Sequence, residues 1–278
     1  MAAVFWGVSF VVMKNALEHV SPLYIIAARF CGSAVLLLPF CISKLKTLDK
    51  SYVRGGVLMG AALLTAFILQ TYGLMYTTPG KNAFLTTVYC IIVPFLYWAY
   101  VKKRPDRYNA AAALASLAGV GFISLDSYLR IGLGDALTIG CGFFFALHIV
   151  LTARYLEGRD PLMLALPQFA SAGVLSLMGA VIFEQAPNMI STADITSVVF
   201  LTAICTAGCT LLQIIGQKYT PPSQAAVIMT FESVFGALTS IIVLHEILTL
   251  RLILGFALMF AAVIVSETKM EFIRKSCN

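Results

Sequence analysis

The sequence has little charge and no long polar stretch. Asp, Glu, Lys and Arg together make up 12% of its 278 residues, hydrophobic residues make up 60%, and the mean hydropathy is +0.90. Soluble domains carry about 25% charged residues, so a soluble globular protein is excluded. The apolar stretches are long enough to cross a bilayer as α-helices, and the alternating segments of a membrane β-barrel are missing. The composition therefore predicts an all-α membrane protein.

Motifs of soluble enzymes and cofactor sites are missing too. No glycine-rich phosphate loop occurs, and His245-Glu246 lacks the second histidine of a zinc protease. Most of the seven cysteines lie inside apolar runs, and Cys205 and Cys209 have no nearby histidine or carboxylate. The basic residues behind the net charge of +6 lie in short clusters between apolar runs. We therefore expect no enzyme activity, no cofactor, no metal and no nucleic-acid partner.

Ten apolar segments remain when the chain is cut at its charge clusters and at Pro or Gly turns. The first is short for a span, but it lacks the basic leader and cleavage site of a signal peptide, so we interpret it as a transmembrane helix. The segments are 1–17, 22–43, 54–76, 80–101, 108–126, 133–153, 161–183, 195–217, 222–244 and 250–267.

The loop charges fit ten spans. Fourteen Lys and Arg residues fall in one alternate set of loops and tails, four fall in the other set, and Arg29 lies inside a span. Cytoplasmic loops carry the excess of basic residues, so this bias places both termini in the cytoplasm. We expect a multi-pass protein of the cytoplasmic membrane.

The two halves of the chain repeat one another. Seven positions of one stretch recur unchanged 143 residues later, and earlier parts match at a shift of 139. Each half has five spans, and an odd number predicts that the second copy is inverted in the membrane. The predicted domains are 1–126 and 133–267, followed by a cytoplasmic tail at 268–278. The identical positions are Leu69, Gln70, Gly73, Tyr76, Thr77, Pro79 and Ala83, repeated as Leu212, Gln213, Gly216, Tyr219, Thr220, Pro222 and Ala226.

Glu232 is the strongest candidate for a functional residue. It lies about ten residues into the ninth segment, near the predicted centre of the bilayer. A carboxylate at that depth is costly, so it is expected to bind a cationic or amino group or to carry a proton. A structural hydrogen bond to a neighbouring helix is the alternative. The residue equivalent to Glu232 in the first copy is Tyr89.

A polar helical face surrounds Tyr89 in the fourth segment. Asn82, Thr86 and Tyr89 follow one another at i, i+4 and i+7, so they share one side of a continuous helix. If the fourth and ninth segments face one another, Tyr89, Phe231 and Glu232 lie at mid-depth in a shared cavity. A packing seam predicts the same spacing, and both interpretations stay open.

Arg29 in the second segment has three open interpretations. It pairs with Glu232 or another acid, attracts an anionic substrate group, or extends its guanidinium to the outer membrane surface. Five other candidates are polar or amphipathic residues within spans, with interhelical hydrogen bonding as the alternative for the amides and burial for the histidine. They are Gln70, Gln213, His148, Trp6 and Ser9.

Short motifs along the whole chain match those of a known family. They are Trp6-Gly7-x-Ser9-Phe10 with Lys14, Arg29-Phe30, Phe84-Leu85-Thr86 with Val93-Pro94, Phe231-Glu232-Ser233-Val234-Phe235, His245-Glu246 and Gly255. In these motifs the sequence resembles the drug/metabolite transporter superfamily and its EamA-like branch of ten-helix bacterial permeases. The resemblance implies the bacterial cytoplasmic (inner) membrane, two inverted five-helix repeats, a cavity lined mainly by helices one, three, four, six, eight and nine, and export or exchange of small metabolites. Ser233 stands where the family usually has proline, and Trp6 normally follows more apolar residues, so a truncated start stays open.

These observations predict a secondary transporter that exports small metabolites, such as amino acids or drugs, by alternating access. Its expected partners are a small-molecule substrate, protons and the lipid bilayer, and a monomer is compatible with the sequence. An uncoupled facilitator of the same substrates, a non-transporting scaffold or sensor, and a lipid-acting membrane enzyme are the alternatives.

Overall fold

The computed structural model describes residues 1–102, 107–124, 131–187, 190–247 and 249–268. Within these ranges the chain is helical and has no β-strand, so the all-α prediction is confirmed. The predicted boundary at Asp126 and the tail after residue 268 lie outside them. The α-helices are α1 (Ala2–Ala16), α2 (Pro22–Cys41), α3 (Lys50–Met75), α4 (Pro79–Thr86), α5 (Tyr89–Val101), α6 (Arg107–Ser124), α7 (Leu133–Leu156), α8 (Pro161–Phe183), α9 (Thr192–Phe200), α10 (Cys209–Gln217), α11 (Pro222–Leu244) and α12 (Leu250–Thr268).

Two pairs of these helices join end to end into longer helical segments, here called rods. α4 and α5 follow one another in the rod Pro79–Val101, and α9 and α10 are joined within Thr192–Gln217 by a π-helical stretch, Leu201–Gly208, here called the π-segment. Among the described residues, seven helices are long and apolar enough to cross a membrane. α1 and parts of α6 and α12 are shorter apolar helices. The number of ten spans therefore stays a prediction.

Helix starts follow from local sequence. Proline occupies the first turn of α2, α4, α8 and α11, where its missing N–H leaves no bond unmade. The Thr78 hydroxyl accepts a hydrogen bond from the Lys81 amide, and the Asp160 carboxylate accepts one from the Leu162 amide. These caps satisfy amides that the first turn of a helix leaves free. First-turn prolines and capping side chains therefore determine where these helices begin.

Equivalent segments of the two halves pack against each other. α2 packs on α8 and α6 packs on α12, which are the second with the seventh and the fifth with the tenth predicted segments. The rings of Phe30 and Phe169, equivalent residues, have centroids 6.2 Å apart. A Cβ on Gly119 would lie 3.0 Å from the Gly255 carbonyl oxygen, and one on Gly255 would lie 3.1 Å from that of Gly119. Residues meet their counterparts only near an axis that relates them, which supports two structural repeats; their inversion stays a prediction.

Candidate functional site

A cavity lies between helices of both halves. Its walls come from α1, α2, α3, α5, α7, α10 and α11. The cavity has a volume of about 50 Å³, which is room for a few water molecules.

Seven of the eleven predicted site residues line this cavity. They come from the first, second, third, fourth, eighth and ninth predicted segments, and the sixth segment contributes apolar residues. This set includes all six helices that the family resemblance implies, and it adds α2. Their part in substrate binding stays a prediction. The seven are Trp6, Ser9, Arg29, Gln70, Tyr89, Gln213 and Glu232.

Glu232 and Tyr89 meet in the cavity wall. The Tyr89 hydroxyl donates a hydrogen bond of 3.2 Å to Oε1 of Glu232. Both side chains are buried, with 3% of Tyr89 and 7% of Glu232 exposed. Among the described residues no cation forms an ion pair with Glu232. The carboxylate is therefore desolvated and held by a neutral donor, so it is suited to take up a proton or a cationic group.

Arg29 is the buried cation of the same cavity. Its residue exposure is 3%, its Nε donates to the Thr206 hydroxyl at 2.9 Å, and its guanidinium lies 4.5 Å from the centre of the Phe67 ring. The interpretation that Arg29 extends to the membrane surface is wrong, because the hydroxyl and the ring hold it inside. No described carboxylate lies within ion-pair distance of it, so the pairing with Glu232 is not formed. The attraction of an anionic substrate group to Arg29 stays a prediction.

The two equivalent glutamines make different contacts. Gln70 Nε2 donates to the Thr86 hydroxyl at 3.2 Å, which links α3 to α4. Gln213 Nε2 donates to Oε1 of Gln217 at 3.2 Å, and Gln217 in turn donates to the Ile149 carbonyl oxygen of α7 at 3.0 Å. Gln70 thus joins two helices directly, whereas Gln213 bonds within α10 and reaches α7 only through Gln217. Both glutamines also line the cavity.

Trp6 and Ser9 lie on the α1 side of the cavity. The Trp6 indole Nε1 donates to the Cys205 carbonyl oxygen in the π-segment at 2.8 Å. Ser9 donates to the Trp6 carbonyl oxygen of its own helix at 2.6 Å. Trp6 therefore ties α1 to the eighth predicted segment, whereas the Ser9 hydroxyl has only a local bond among the described residues.

The structure does not bring the other four predicted residues to the cavity. Asn82 donates to the Thr138 hydroxyl at 2.8 Å, and Thr86 donates to the Asn82 carbonyl oxygen. They do not share a continuous face with Tyr89, because α4 ends at Thr86. His148 is buried between α7 and α8, with Nε2 3.2 Å from the Gln168 side-chain oxygen.

Phe231 points away from the cavity. It is 46% exposed, and its ring packs against Phe260 with centroids 6.1 Å apart. Neighbouring residues of an α-helix are about 100° apart around the axis. Glu232 faces the narrow cavity, and Phe231 is therefore turned toward the outside of the helix bundle.

Sequence reasoning missed the other half of the lining. Six of the seven residues are apolar, and an apolar residue in a span gives no sign of whether it faces lipid, another helix or a cavity. Thr210 did carry a signal, because it lies three residues before Gln213 and shares its helical face. The seven are Phe10, Leu63, Phe67, Phe145, Ile149, Thr210 and Met229.

Known proteins resemble the whole chain. An uncharacterized transporter of Archaeoglobus fulgidus is 34% identical over 267 residues, which cover 96% of this chain and 83% of that protein. The uncharacterized transporter YoaV of Bacillus subtilis is 21% identical, over 94% of this chain and 92% of its own length. A solved structure described only as "Crystal structure of protein" is 15% identical, has a TM-score of 0.73, and matches 98% of this chain and 96% of its own, so it shares the fold.

The model of the EamA-like transporter family matches the chain twice, at residues 1–125 and at residues 132–268. Together the matches include every helix that lines the cavity. The relatives just described are named as transporters, and the family is one of transporters rather than enzymes. The chain belongs to the EamA-like transporter family and is a multi-pass membrane protein.

Proposed function

We propose that this chain is a secondary transporter that exports small metabolites bearing a carboxylate or other anionic group, with amino acids as the simplest class that also carries an amine. The observation that carries the proposal is the pair of buried, opposite charges in one cavity. Arg29 and Glu232 both line it, and neither forms an ion pair among the described residues. Buried charges without partners are costly, so they indicate a ligand that completes them.

The two charges have different expected roles. The guanidinium of Arg29 is suited to bind a planar anion through two parallel hydrogen bonds. Glu232 is suited to exchange a proton for a cationic group, because its only described hydrogen-bond partner is the neutral Tyr89 hydroxyl. A scaffold or sensor would need no such pair, and a lipid-acting enzyme would need several converging acid, base or metal groups near a membrane surface. The cavity therefore favours transport over both alternatives.

Contacts at the helix ends support alternating access. On the predicted outer side, Lys14 of α1 donates to the Leu74 carbonyl oxygen of α3 at 2.7 Å, and Lys81 of α4 pairs with Asp135 of α7 at 2.7 Å. Glu246, which follows α11, accepts from the Thr78 hydroxyl before α4. The helices around the cavity are thus joined on that side, which corresponds to a state closed to the outside.

The contacts on the predicted inner side have a different distribution. Lys44 pairs with Asp160 at 2.6 Å, and Arg159 donates to the Ser51 hydroxyl at 2.6 Å, so these bonds tie the α2–α3 region to α8. Among the described residues they do not join α1, α5 and α11. This distribution favours release of the inner ends first. A proton that enters through Glu232 down its gradient would then drive the substrate outward.

The decisive experiment replaces Glu232 with glutamine. Glu232→Gln keeps the shape and the contact with Tyr89 but cannot exchange a proton. We expect proton-driven uptake into proteoliposomes to be abolished, while counterflow exchange of the same labelled substrate continues. The substrate is chosen first by a thermal-shift screen of amino acids, nucleosides, polyamines and cationic drugs, since a ligand stabilises the native state by binding it.

Glu157→Gln is the matched control, because Glu157 is exposed at the end of α7. It should leave both activities unchanged. If Glu232→Gln retains both activities in full, proton coupling through this residue is refuted and an uncoupled facilitator replaces it. If no member of the panel is transported or bound, the assignment as a transporter of these small metabolites fails.

A further inference from the structure

The π-segment departs from α-helical hydrogen bonding at the middle of a long rod. The Thr206 hydroxyl donates to the Leu201 carbonyl oxygen, five residues earlier, at 2.8 Å. π-Helical stretches are rare in proteins and occur often at functional sites. This one lies directly before α10, whose Thr210 and Gln213 line the cavity.

One face of α2 holds the π-segment. Arg29, Gly32 and Ser33 lie three and four residues apart, so they share that face. Arg29 Nε donates to the Thr206 hydroxyl at 2.9 Å, and Ser33 donates to the Thr202 carbonyl oxygen at 3.1 Å. A Cβ on Gly32 would lie 2.6 Å from Cγ2 of Thr202, so glycine permits this close approach. α2 and the π-segment are thus joined by two hydrogen bonds and a backbone contact.

α1 adds a third hydrogen bond through Trp6, whose indole donates to the Cys205 carbonyl oxygen. Two main-chain oxygens of the π-segment, those of Cys205 and Thr202, thus accept side-chain hydrogen bonds from Trp6 and Ser33. Trp6 and Arg29 also line the cavity. A molecule in the cavity therefore contacts the side chains that hold the π-segment in place.

The π-segment determines which face of α10 the cavity meets. Successive residues of an α-helix are about 100° apart around the axis, and a π-helical turn encloses one residue more than an α-helical turn. When such a turn rewinds to α-helix, the residues beyond it therefore rotate by about that angle. If the π-segment rewound to α-helix, Thr210 and Gln213 would turn out of the cavity wall. The inner end of the rod would turn with them.

The first copy of the repeat has no π-helical stretch among its described residues. α3 is α-helical throughout Lys50–Met75, and at the shift of 143 the residue equivalent to Thr206 is Leu63. At the shift of 139 the residue equivalent to Arg29 is Gln168. The cation, the hydroxyl and the π-segment therefore occur together, in one of the two equivalent interfaces.

The guanidinium of Arg29 has two edges that a carboxylate could bind, and Thr206 holds the edge that includes Nε. Nε is bonded to Thr206, whereas the two terminal nitrogens make no hydrogen bond to a described residue. A carboxylate binds a guanidinium best through two parallel N–H bonds. When it binds along the edge that includes Nε, it takes the place of the Thr206 hydroxyl.

We propose that Thr206 is a positioning residue for transport. A carboxylate bound along the Nε edge of Arg29 releases Thr206, the π-segment rewinds, and the face of α10 that lines the cavity turns away. This deepens the proposed function and rests on it, because it requires a substrate carboxylate at Arg29. The isosteric variant Thr206→Val, which lacks the hydroxyl, should reproduce the released state without any ligand.

The test uses two thiols on the rod. Gln213→Cys places a thiol in the cavity wall, and the native Cys209 is buried with 2% exposure. Purified protein is alkylated with N-ethylmaleimide, and mass spectrometry gives the rate at each site. In the Thr206→Val background we expect the rate at position 213, relative to Cys209, to fall several-fold. Thr206→Ser should restore the ratio.

Thr65→Val is the matched control, since the Thr65 hydroxyl donates only to the Ala61 carbonyl oxygen of its own helix among the described residues. It should leave the ratio unchanged. An unchanged ratio in Thr206→Val overturns the proposal. If Thr206→Val does not fold, Arg29→Lys, which keeps the charge but loses the Nε edge, must give the same fall or the proposal is overturned. The labelling needs no substrate, so failure of the transport assay alone rejects the proposed function and not this register change.

Discussion

The two copies of the repeat carry the same seven residues, and the structure surrounds those residues differently. A Cβ on Gly73 would lie 2.6 Å from the Thr138 hydroxyl oxygen, whereas a Cβ on the equivalent Gly216 would meet nothing within 4 Å. Gln70 bonds forward to the next helix, and Gln213 bonds within its own. Identical sequence therefore does not give identical packing once the partners differ.

Several of the sequence differences between the copies lie at the cavity. The shared positions build two similar scaffolds that meet near an axis. The polar and charged groups of the cavity come mainly from positions where one copy has departed from the other. Among these positions, the first-copy and second-copy residues are Arg29 and Gln168, and Tyr89 and Glu232. The two charged residues of the cavity, Arg29 and Glu232, therefore each occur in one copy only.

The largest effect is expected when Arg29 is made like its counterpart. Arg29→Gln removes the cavity cation and leaves a neutral amide in both copies. A hydrogen bond to a charged group contributes about 1.5–3 kcal/mol, so we expect the KM for a carboxylate substrate to rise by roughly ten-fold or more. Initial rates of uptake into proteoliposomes over a range of substrate concentrations measure this.

The control for the lost charge is Lys46→Gln, because Lys46 is exposed in the 3₁₀ helix Ile42–Thr47. That variant should transport normally. The same substrate with its carboxylate converted to an amide should be handled equally by Arg29→Gln and by the parent protein. A comparable KM for the carboxylate in both proteins would show that Arg29 serves the fold alone.

A smaller effect separates the two glycines of the repeat. Gly73→Ala must push Thr138 or α7 aside, and overpacking of this kind costs about 1–3 kcal/mol. Gly216→Ala meets open space and gains helix propensity of up to about 1 kcal/mol. Thermal unfolding in detergent should therefore show a lower midpoint for the first variant and an equal or higher one for the second. Equal destabilisation by both would mean that the copies are packed alike.

The smallest effect concerns the helix starts. Ser21 before α2 is the counterpart of Asp160 before α8, and only Asp160 caps its helix with its side chain. Burial raises the pKa of the Asp160 carboxyl, but its bonds to the Lys44 ammonium and the Leu162 amide outweigh this, so the pKa is lowered. A lowered carboxyl pKa stabilises the fold above the unfolded value, near pH 4, and the contribution is lost as the pH falls through the folded pKa.

Asp160→Ser, which copies the first half, should therefore lower the unfolding midpoint slightly at pH 7. The loss is small because Lys44 and Asp160 are partly exposed, at 52% and 32% of their side chains. The gap between the variant and the parent should close in acid. A gap that persists unchanged well below pH 4 would show that the carboxylate charge contributes nothing.

The helices and the main polar residues of the cavity could be predicted because their physics is local or costly. Apolar runs of bilayer length fold as helices whatever surrounds them, and a carboxylate or guanidinium inside such a run is costly enough to indicate a function. For this reason Glu232 and Arg29 could be predicted as candidate site residues from the sequence alone. The prediction that Phe231 shares the cavity with Glu232 was wrong, because adjacent residues of a helix cannot both face a narrow cavity.

The breaks in the helices could not be predicted. The chain leaves α-helical geometry after Thr86 without a glycine or proline at the break, and the Thr87 hydroxyl donates back to the Phe84 carbonyl oxygen at 2.6 Å. The π-segment likewise depends on donors from α1 and α2, which are about 170 to 200 positions away in sequence. Such features arise from tertiary contacts, so no local pattern records them.

The bond between Tyr89 and Glu232 has a consequence for how such a molecule could arise. A transporter assembled from two separate, identical half-chains would carry the same residue on both sides of the axis. Two carboxylates at that contact would repel, and one would have to stay protonated. Two tyrosines would offer no group that changes charge near neutral pH. One chain whose halves have diverged, or two different half-chains, can place a tyrosine against a carboxylate there, so this contact requires that the two copies differ.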